Sequence, residues 1–323
     1  MGRRHRDALF PPAERQRLTA YVDIDPEHVA EDFGDEPALN DAEILITSWG
    51  CPVLDEGVLA RAPALRAIVH AAGSVKHHVT QACWDRGIVV SSAAAANAVP
   101  VAEYTVAAIL FANKRVLEIG GLYREHRDVS DWSRRFPGFG NYRRTVGVVG
   151  ASLIGRKVLE LLRPYDLDLL LADPYVDAAQ AAALGARHVG LDELVAGSDA
   201  VSLHAPALPE TRHLLDARRL ASMRDGATLI NTARGSLVDT AALTAEAASG
   251  RIHAVIDVTE PEVLPAQSPL YSLPNVLLTP HIAGSLGGEL RRITSSAIDE
   301  VARYCSQRPF AHAVHQAALA TSA

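Results

Sequence analysis

The stretch TVGVVGASLIGRKVLELLRPYDLDLLLAD, residues 145–173, decides the fold. Val146–Val149 is a short, continuously apolar run, the pattern of a parallel strand covered on both faces. Gly150-Ala151-Ser152-Leu153-Ile154-Gly155 follows as a turn, and the next residues place Ile154, Val158, Leu161 and Leu162 on one face of a helix. A second apolar run, Leu167–Asp173, then closes on a carboxylate. A dinucleotide site needs a tight turn, close backbone approach to the pyrophosphate, and close helix–strand packing. Gly150 and Gly155 suit the first and third roles, while Ser152 stands at the middle position, where its hydroxyl could donate to a phosphate. Asp173 lies 18 residues past Gly155. A carboxylate there can bind a ribose 2′-hydroxyl and repel a 2′-phosphate, so NAD is the expected cofactor.

Outward from this unit the alternation continues. Further apolar runs are Ala200–His204, Ala227–Asn231, His253–Val258 and Asn275–Thr279, with a helix from Val238–Asp239 to a C-terminal cap at Gly250. Strands alternating with helices predict a doubly wound parallel sheet of Rossmann type. Fainter runs at Glu43–Thr47, Arg66–His70 and Gly87–Ser92 suggest a second, smaller α/β domain. Long apolar helices are expected over Val99–Leu117 and Gly288–Tyr304. The chain is therefore read as leaving the first domain once and returning to it. Residues 1–118 and 287–323 form a substrate domain, residues 119–286 the dinucleotide domain, and the crossings fall near 118–125 and 283–290. The first strand of the smaller domain is not visible in the opening MGRRHRDALFPPAERQRL, which points to a shortened start or an atypical strand.

Composition bounds the function. With 323 residues, 48% apolar and 21% charged, the chain is long enough for two globular domains. A net charge of −7 gives no basic footprint for nucleic acid. Cys51, Cys83 and Cys305 are odd in number and far apart, and read as reduced thiols in a cytoplasmic protein. No apolar run reaches the roughly 20 residues of a membrane helix, so no membrane partner is expected.

Three chemically useful residues each follow the end of an apolar run: Arg234 in INTARG, Glu262 in DVTEPE and His281 in LLTPHIAG. Ligands of open α/β sheets sit beyond the carboxyl ends of the strands, so one sheet edge can present all three. Arginine offers a planar fork to a carboxylate or carbonyl oxygen. Histidine is the natural proton donor near neutral pH, and a neighbouring carboxylate would orient it and favour its protonated form.

The runs LHAPALPETRHLLDARRLASMRDGATLINTARGSLVDTAAL, SGRIHAVIDVTEPEVLP and SPLYSLPNVLLTPHIAG resemble the D-isomer-specific 2-hydroxyacid dehydrogenase family. The likeness spans about residues 65–310 and is densest from Leu203 to Gly284. It implies a Rossmann-type cofactor domain inserted in a flavodoxin-like substrate domain, and interconversion of a 2-oxo acid and a D-2-hydroxy acid by hydride transfer in a homodimer. It also implies roles. Arg234 would bind substrate, Glu262 would be the acid partner, and His281 the acid/base. Cofactor contacts would fall at Gly150, Ser152, Leu153, Ile154, Gly155, Asp173, Ala205, Pro206, Thr211, Thr232, Ala233, Arg234, Asp257, His281 and Gly284, with Asp257 meeting the nicotinamide amide. Gly73 and Ser74 would donate backbone N–H groups to the substrate carboxylate, which lies between the domains, and Asn97 would be a pocket residue.

The chain departs from the family at Ser152, at Leu153 where an arginine is usual, and in VHAAGSVKHHV, where Lys76, His77 and His78 are unusual. His70, His77 and His78 lack the accompanying spacing of a metal site. Rival readings are a formate- or phosphite-oxidising relative and a dinucleotide-sensing corepressor. The formate enzymes carry an amide where Glu262 stands, which argues against the first. The acidic charge and the lack of an appended tail argue against the second.

Overall fold

The computed structural model describes residues 1–34 and 36–319. Its strands are β1 (Ile44–Thr47), β2 (Ala67–His70), β3 (Val89–Ser92), β4 (Arg144–Val149), β5 (Leu167–Ala172), β6 (Arg187–His188), β7 (Ala200–Leu203), β8 (Thr228–Asn231), β9 (His253–Ile256), β10 (Val276–Leu278) and β11 (Ala313–Val314). They fall in two compact units: Met1–Ala98 with residues 285–319, and Val99–Gly284. The second crossing falls between Gly284 and Ser285. The first comes about twenty residues before the expected residue 118, inside the helix Ala94–Asn113, because Ala102, Val106 and Ile109 of that helix are buried in the core of the second unit.

In the second unit seven parallel strands run in the order β10-β9-β8-β7-β4-β5-β6. From β4 the chain builds outward to β5 and β6, then crosses back to β7 on the other side. The order reverses between β4 and β7, the switch point beyond whose carboxyl ends open α/β sheets bind their ligands. The central strands β4, β5, β7 and β8 are buried along most of their length, as their apolar runs require. The helix Leu153–Leu162 buries Val158, Leu159 and Leu162 against this sheet, while Ile154 and Leu161 are only partly covered. Each such side chain contributes on the order of 1.5–3 kcal/mol. The helix Thr240–Ala248 is capped at its start by Asp239, whose carboxylate accepts from Ala241 and Ala242 N–H, and is followed by Gly250 at φ +76°.

The helix Ala94–Asn113 corrects one expectation, because its 20 residues are apolar enough to match a membrane span by length and composition. Its contacts are those of a core helix. Thr105 bonds Thr232 at 2.9 Å, Tyr104 bonds Thr279 at 2.9 Å, and Ala102, Thr105 and Ile109 are fully buried.

In the first unit β1, β2 and β3 are parallel, and the two-residue β11 pairs antiparallel with β3. No described residue before Ile44 forms a strand. The opening residues instead make two short helices, Arg3–Leu9 and Pro12–Leu18. Leu9, Phe10 and Leu18 pack on Ile293, Ala297 and Val301 of the helix Leu290–Cys305. A cavity of about 1830 Å³ opens beside β1, lined by Ile24, Phe33, Ile44, Val90 and Phe310 among others and by none of the candidate site residues.

Candidate active site

The dinucleotide turn is closed by backbone packing. Gly150 has φ +96°, and a Cβ there would sit 2.7 Å from the Ala205 nitrogen. A Cβ on Gly155 would sit 2.0 Å from the Gly150 carbonyl oxygen. Both positions must be glycine, for turn conformation and close approach respectively. Ser152 caps the helix Leu153–Leu162, its hydroxyl oxygen accepting from Gly155 N–H at 3.3 Å. Leu153 is exposed beside it. The Asp173 carboxylate accepts from Ala151 N–H at 2.7 Å and Tyr175 N–H at 2.8 Å, which fixes it at the rim of the turn. Thr211 folds the next loop back by donating to the Pro206 carbonyl at 2.6 Å.

Sequence reasoning missed His204, the residue after β7 at the switch point. It is fully buried, its Nε2 lies 2.8 Å from Ser202 Oγ, and its Nδ1 has no partner among the described residues. Burial pushes its pKa down to about 3, so the ring is neutral. Turn and orphaned nitrogen together fit a dinucleotide: glycines whose Cβ atoms would collide with their surroundings, and an unpaired polar atom beneath them.

Around the triad, contacts from Asn231, Thr259 and Asp257 shape the loops that carry its members. Buried Asn231 accepts from Ala233 N–H at 3.1 Å and donates to the Arg234 carbonyl at 2.9 Å, shaping the turn after β8. Burial draws the Arg234 guanidinium pKa down, and the charge of Glu262 opposes that shift. A Cβ on Gly235 would lie 2.1 Å from the Thr259 carbonyl, so the loop carrying Glu262 crosses directly over residue 235. Glu262 Oε1 lies 2.6 Å from His281 Nδ1, and both side chains are more than half exposed.

His281 stands at φ +56°, in the left-handed region that seldom suits a residue with a side chain. Asp257 holds it there. Its carbonyl accepts His281 N–H at 2.9 Å, and its buried carboxylate accepts the Thr279 hydroxyl at 2.7 Å, Ile282 N–H at 2.8 Å and Ala283 N–H at 2.9 Å. Asp257 was expected to meet a nicotinamide amide; in this structure its carboxylate is engaged with its own chain. The structure thus brings Glu262 and His281 together, sets Arg234 within reach of the Glu262 charge, and joins Thr232 to the helix through Thr105.

In the first unit, the ideal Cβ of Gly73 lies 3.9 Å from Asn97 Nδ2, and Asn97 Oδ1 accepts from Ser285 N–H at 2.9 Å. Gly73 and Asn97 are therefore neighbours, and Ser74 Oγ accepts from Lys76 N–H at 3.5 Å. Among the described residues no cluster of three or more His, Cys, Asp or Glu could hold a metal.

A doubly wound sheet with a glycine-lined turn at its switch point and a His–Glu pair at its carboxyl edge defines a dinucleotide-dependent enzyme fold. Residues 106–283 match the family model "D-isomer specific 2-hydroxyacid dehydrogenase, NAD binding domain". The chain belongs to this family, and its dinucleotide is NAD. It is 36% identical over 252 residues to D-3-phosphoglycerate dehydrogenase of Mycobacterium tuberculosis, a match covering 77% of this chain and 46% of the relative. It is 35% identical over 254 residues to (S)-sulfolactate dehydrogenase of Chromohalobacter salexigens, covering 77% and 81%. The crystal structure of the TT0316 protein from Thermus thermophilus superposes with a TM-score of 0.72 at 31% identity, covering 86% of this chain and 88% of that one. The chain spans about half the length of the phosphoglycerate dehydrogenases it matches.

Proposed function

We propose that this chain interconverts a 2-oxo acid and a D-2-hydroxy acid, with His281 as proton donor and acceptor. The observation that carries the reading is the 2.6 Å bond between His281 Nδ1 and Glu262 Oε1. It leaves Nε2 of the same ring to face a substrate oxygen. NAD, when bound, exchanges the hydride with the substrate carbon. The chain's own residues do the rest. The His281 imidazolium gives its Nε2 proton to the carbonyl oxygen as that oxygen gains charge, and takes it back in the reverse direction. Glu262 fixes the ring through its bond to Nδ1. Arg234, short of solvent, offers its fork to the carboxylate or the carbonyl oxygen. The Gly73 and Ser74 N–H groups are proposed as further carboxylate donors. Glu262, a carboxylate where the formate enzymes carry an amide, supports hydroxy-acid chemistry.

Both relatives act, by their names, on hydroxy acids bearing a second anionic group, which makes dianionic 2-oxo acids the first substrates to try. NADH oxidation is followed at 340 nm against a panel of such acids beside pyruvate and glyoxylate. Turnover with one of them supports the reading. Tight NADH binding with no turnover across the panel sinks it and favours a sensor.

The same proposal takes the working form to be a homodimer. The helix Val116–His126 has no buried residue within this chain, and Phe111, Leu117 and Tyr123 are exposed on or beside it, an apolar surface that a second copy would cover. Three free thiols support a reducing, cytoplasmic setting.

A further inference from the structure

The loop after β2 is bounded by a histidine at each end. His70 is the last residue of β2, and His78 ends the loop, with residues 71–77 between them. Their rings lie 4.5 Å apart, centroid to centroid. Both reach the same hydroxyl: Thr47 Oγ1, at the end of β1, is 2.9 Å from His70 Nδ1 and 3.3 Å from His78 Nε2. All three side chains are 2–3% exposed.

Burial pushes the pKa of His70 down to about 3 and that of His78 to about 4, so both rings are neutral. A neutral imidazole offers one donor and one acceptor, and a hydroxyl one proton and two lone pairs. The Thr47 hydroxyl can therefore bond both rings at once, donating to at most one of them and accepting from the other. Removing that hydroxyl strands two buried nitrogens at once.

The backbone joins the same closure. Ala71 N–H donates to the Thr47 carbonyl at 2.8 Å, Leu54 N–H to the His78 carbonyl at 2.9 Å, and the Ser48 hydroxyl to the Ala71 carbonyl at 2.9 Å. Inside the closed loop, the N–H groups of Gly73 and Ser74 have no acceptor among the described residues. Free donors on a half-buried loop suit an incoming anion only if the loop is held still, because an ordering cost would otherwise be taken from binding.

We propose that Thr47, His70 and His78 form a clasp that holds the Gly73 and Ser74 N–H groups ready for the substrate carboxylate, which makes Thr47 and His78 positioning residues for substrate binding. The inference rests on the function proposed above. A merely structural cluster would lose stability on substitution without a selective effect on substrate affinity.

The test compares Thr47→Val, Thr47→Ser and His78→Phe with the unchanged enzyme, using the best 2-oxo acid of the panel. KM, kcat, NADH Kd by fluorescence quenching, and amide exchange of residues 71–78 are measured. Thr47→Val is expected to raise KM about tenfold or more with kcat within about threefold, the signature of lost uniform binding. NADH affinity should hold, exchange across residues 71–78 should quicken, and Thr47→Ser should restore both KM and protection. His78→Phe keeps a ring but loses the nitrogen, and supplies the same comparison if Thr47→Val does not fold. Unchanged KM in a folded variant, or a Thr47→Ser variant as impaired as Thr47→Val, overturns the clasp. If the unchanged enzyme reduces no 2-oxo acid, the functional reading has failed and the carboxylate role falls with it. Exchange in Thr47→Val then still decides whether the clasp orders the loop.

Discussion

Asp257 and His281 are joined backbone to backbone, the Asp257 carbonyl accepting His281 N–H at 2.9 Å, while the Asp257 carboxylate gathers Thr279, Ile282 and Ala283 around it. One buried carboxylate thus holds a histidine at φ +56°, where its ring can meet Glu262. The His281–Glu262 pair proposed as acid/base depends on a residue whose side chain does not touch either ring or carboxylate.

Asp257→Ala removes the acceptor of the Thr279 hydroxyl and of Ile282 and Ala283 N–H, and the buried Ala283 donor left unpaired costs roughly 1–3 kcal/mol. The expected result is a fall of several degrees in the thermal midpoint and a loss of kcat larger than that of Glu262→Gln. Calorimetry and steady-state kinetics on the two variants check the order; a fully active Asp257→Ala variant would remove Asp257 from the account.

Glu262→Gln keeps a hydrogen-bond partner for His281 Nδ1 but removes the negative charge beside the ring. We expect kcat for 2-oxo acid reduction to fall by roughly one to two orders of magnitude, within the usual range for acid–base groups. NADH affinity should change little. Equal activity of the two forms between pH 6 and 9 would show that the charge plays no part.

Gly155→Ala sets a Cβ 2.0 Å from the Gly150 carbonyl oxygen, and the backbone there has no flexible end to move. The turn must open, at about 1–3 kcal/mol for a strained insertion. NADH binding, read by fluorescence quenching, should weaken at least tenfold. Binding as tight as in the unchanged chain would place the cofactor elsewhere.

Acid should weaken the fold through three buried histidines. His70 and His204 have folded pKa values pushed down to about 3, and His78 to about 4, against 6.5 for an ordinary histidine. Between those limits the unfolded chain binds the extra protons, so stability is complete above pH 6.5 and is lost as pH falls toward 3. Each unit of separation is worth about 1.4 kcal/mol. Denaturant midpoints taken from pH 7.5 down to 4.5 should fall steadily, and His204→Gln should flatten the slope. A profile indifferent to that substitution would contradict the sign argued here.

Much of the second unit was legible in residues 145–173 because parallel strands covered on both faces must be continuously apolar, and a dinucleotide turn must have glycine where a Cβ would collide. The strand ends pointed to Arg234, Glu262 and His281 for the same reason: loops beyond carboxyl ends are where such sheets bind. What holds those residues was not legible. Asn231, Thr279 and Tyr104 are ordinary polar residues in a pattern read for its apolar members, and only folding brings Tyr104 to Thr279, 175 positions away. Asp257 was visible, but its resemblance to a nicotinamide contact concealed its work on its own loop. The early crossing at Ala98 was hidden because Ala94–Asn113 is a single apolar helix whose sequence does not say which core takes it. The clasp at Thr47 was missed because two strands and a loop meet there, and sequence spacing gives no sign of a shared hydroxyl.

The central claim is that His281 moves the proton while other residues hold the cofactor. His281→Ala tests it directly, by parallel measurement of NADH Kd and of kcat with the best 2-oxo acid. The account predicts NADH binding within about threefold of the unchanged chain and turnover lower by roughly two to four orders of magnitude. Turnover at the unchanged rate, with NADH still bound, would contradict it.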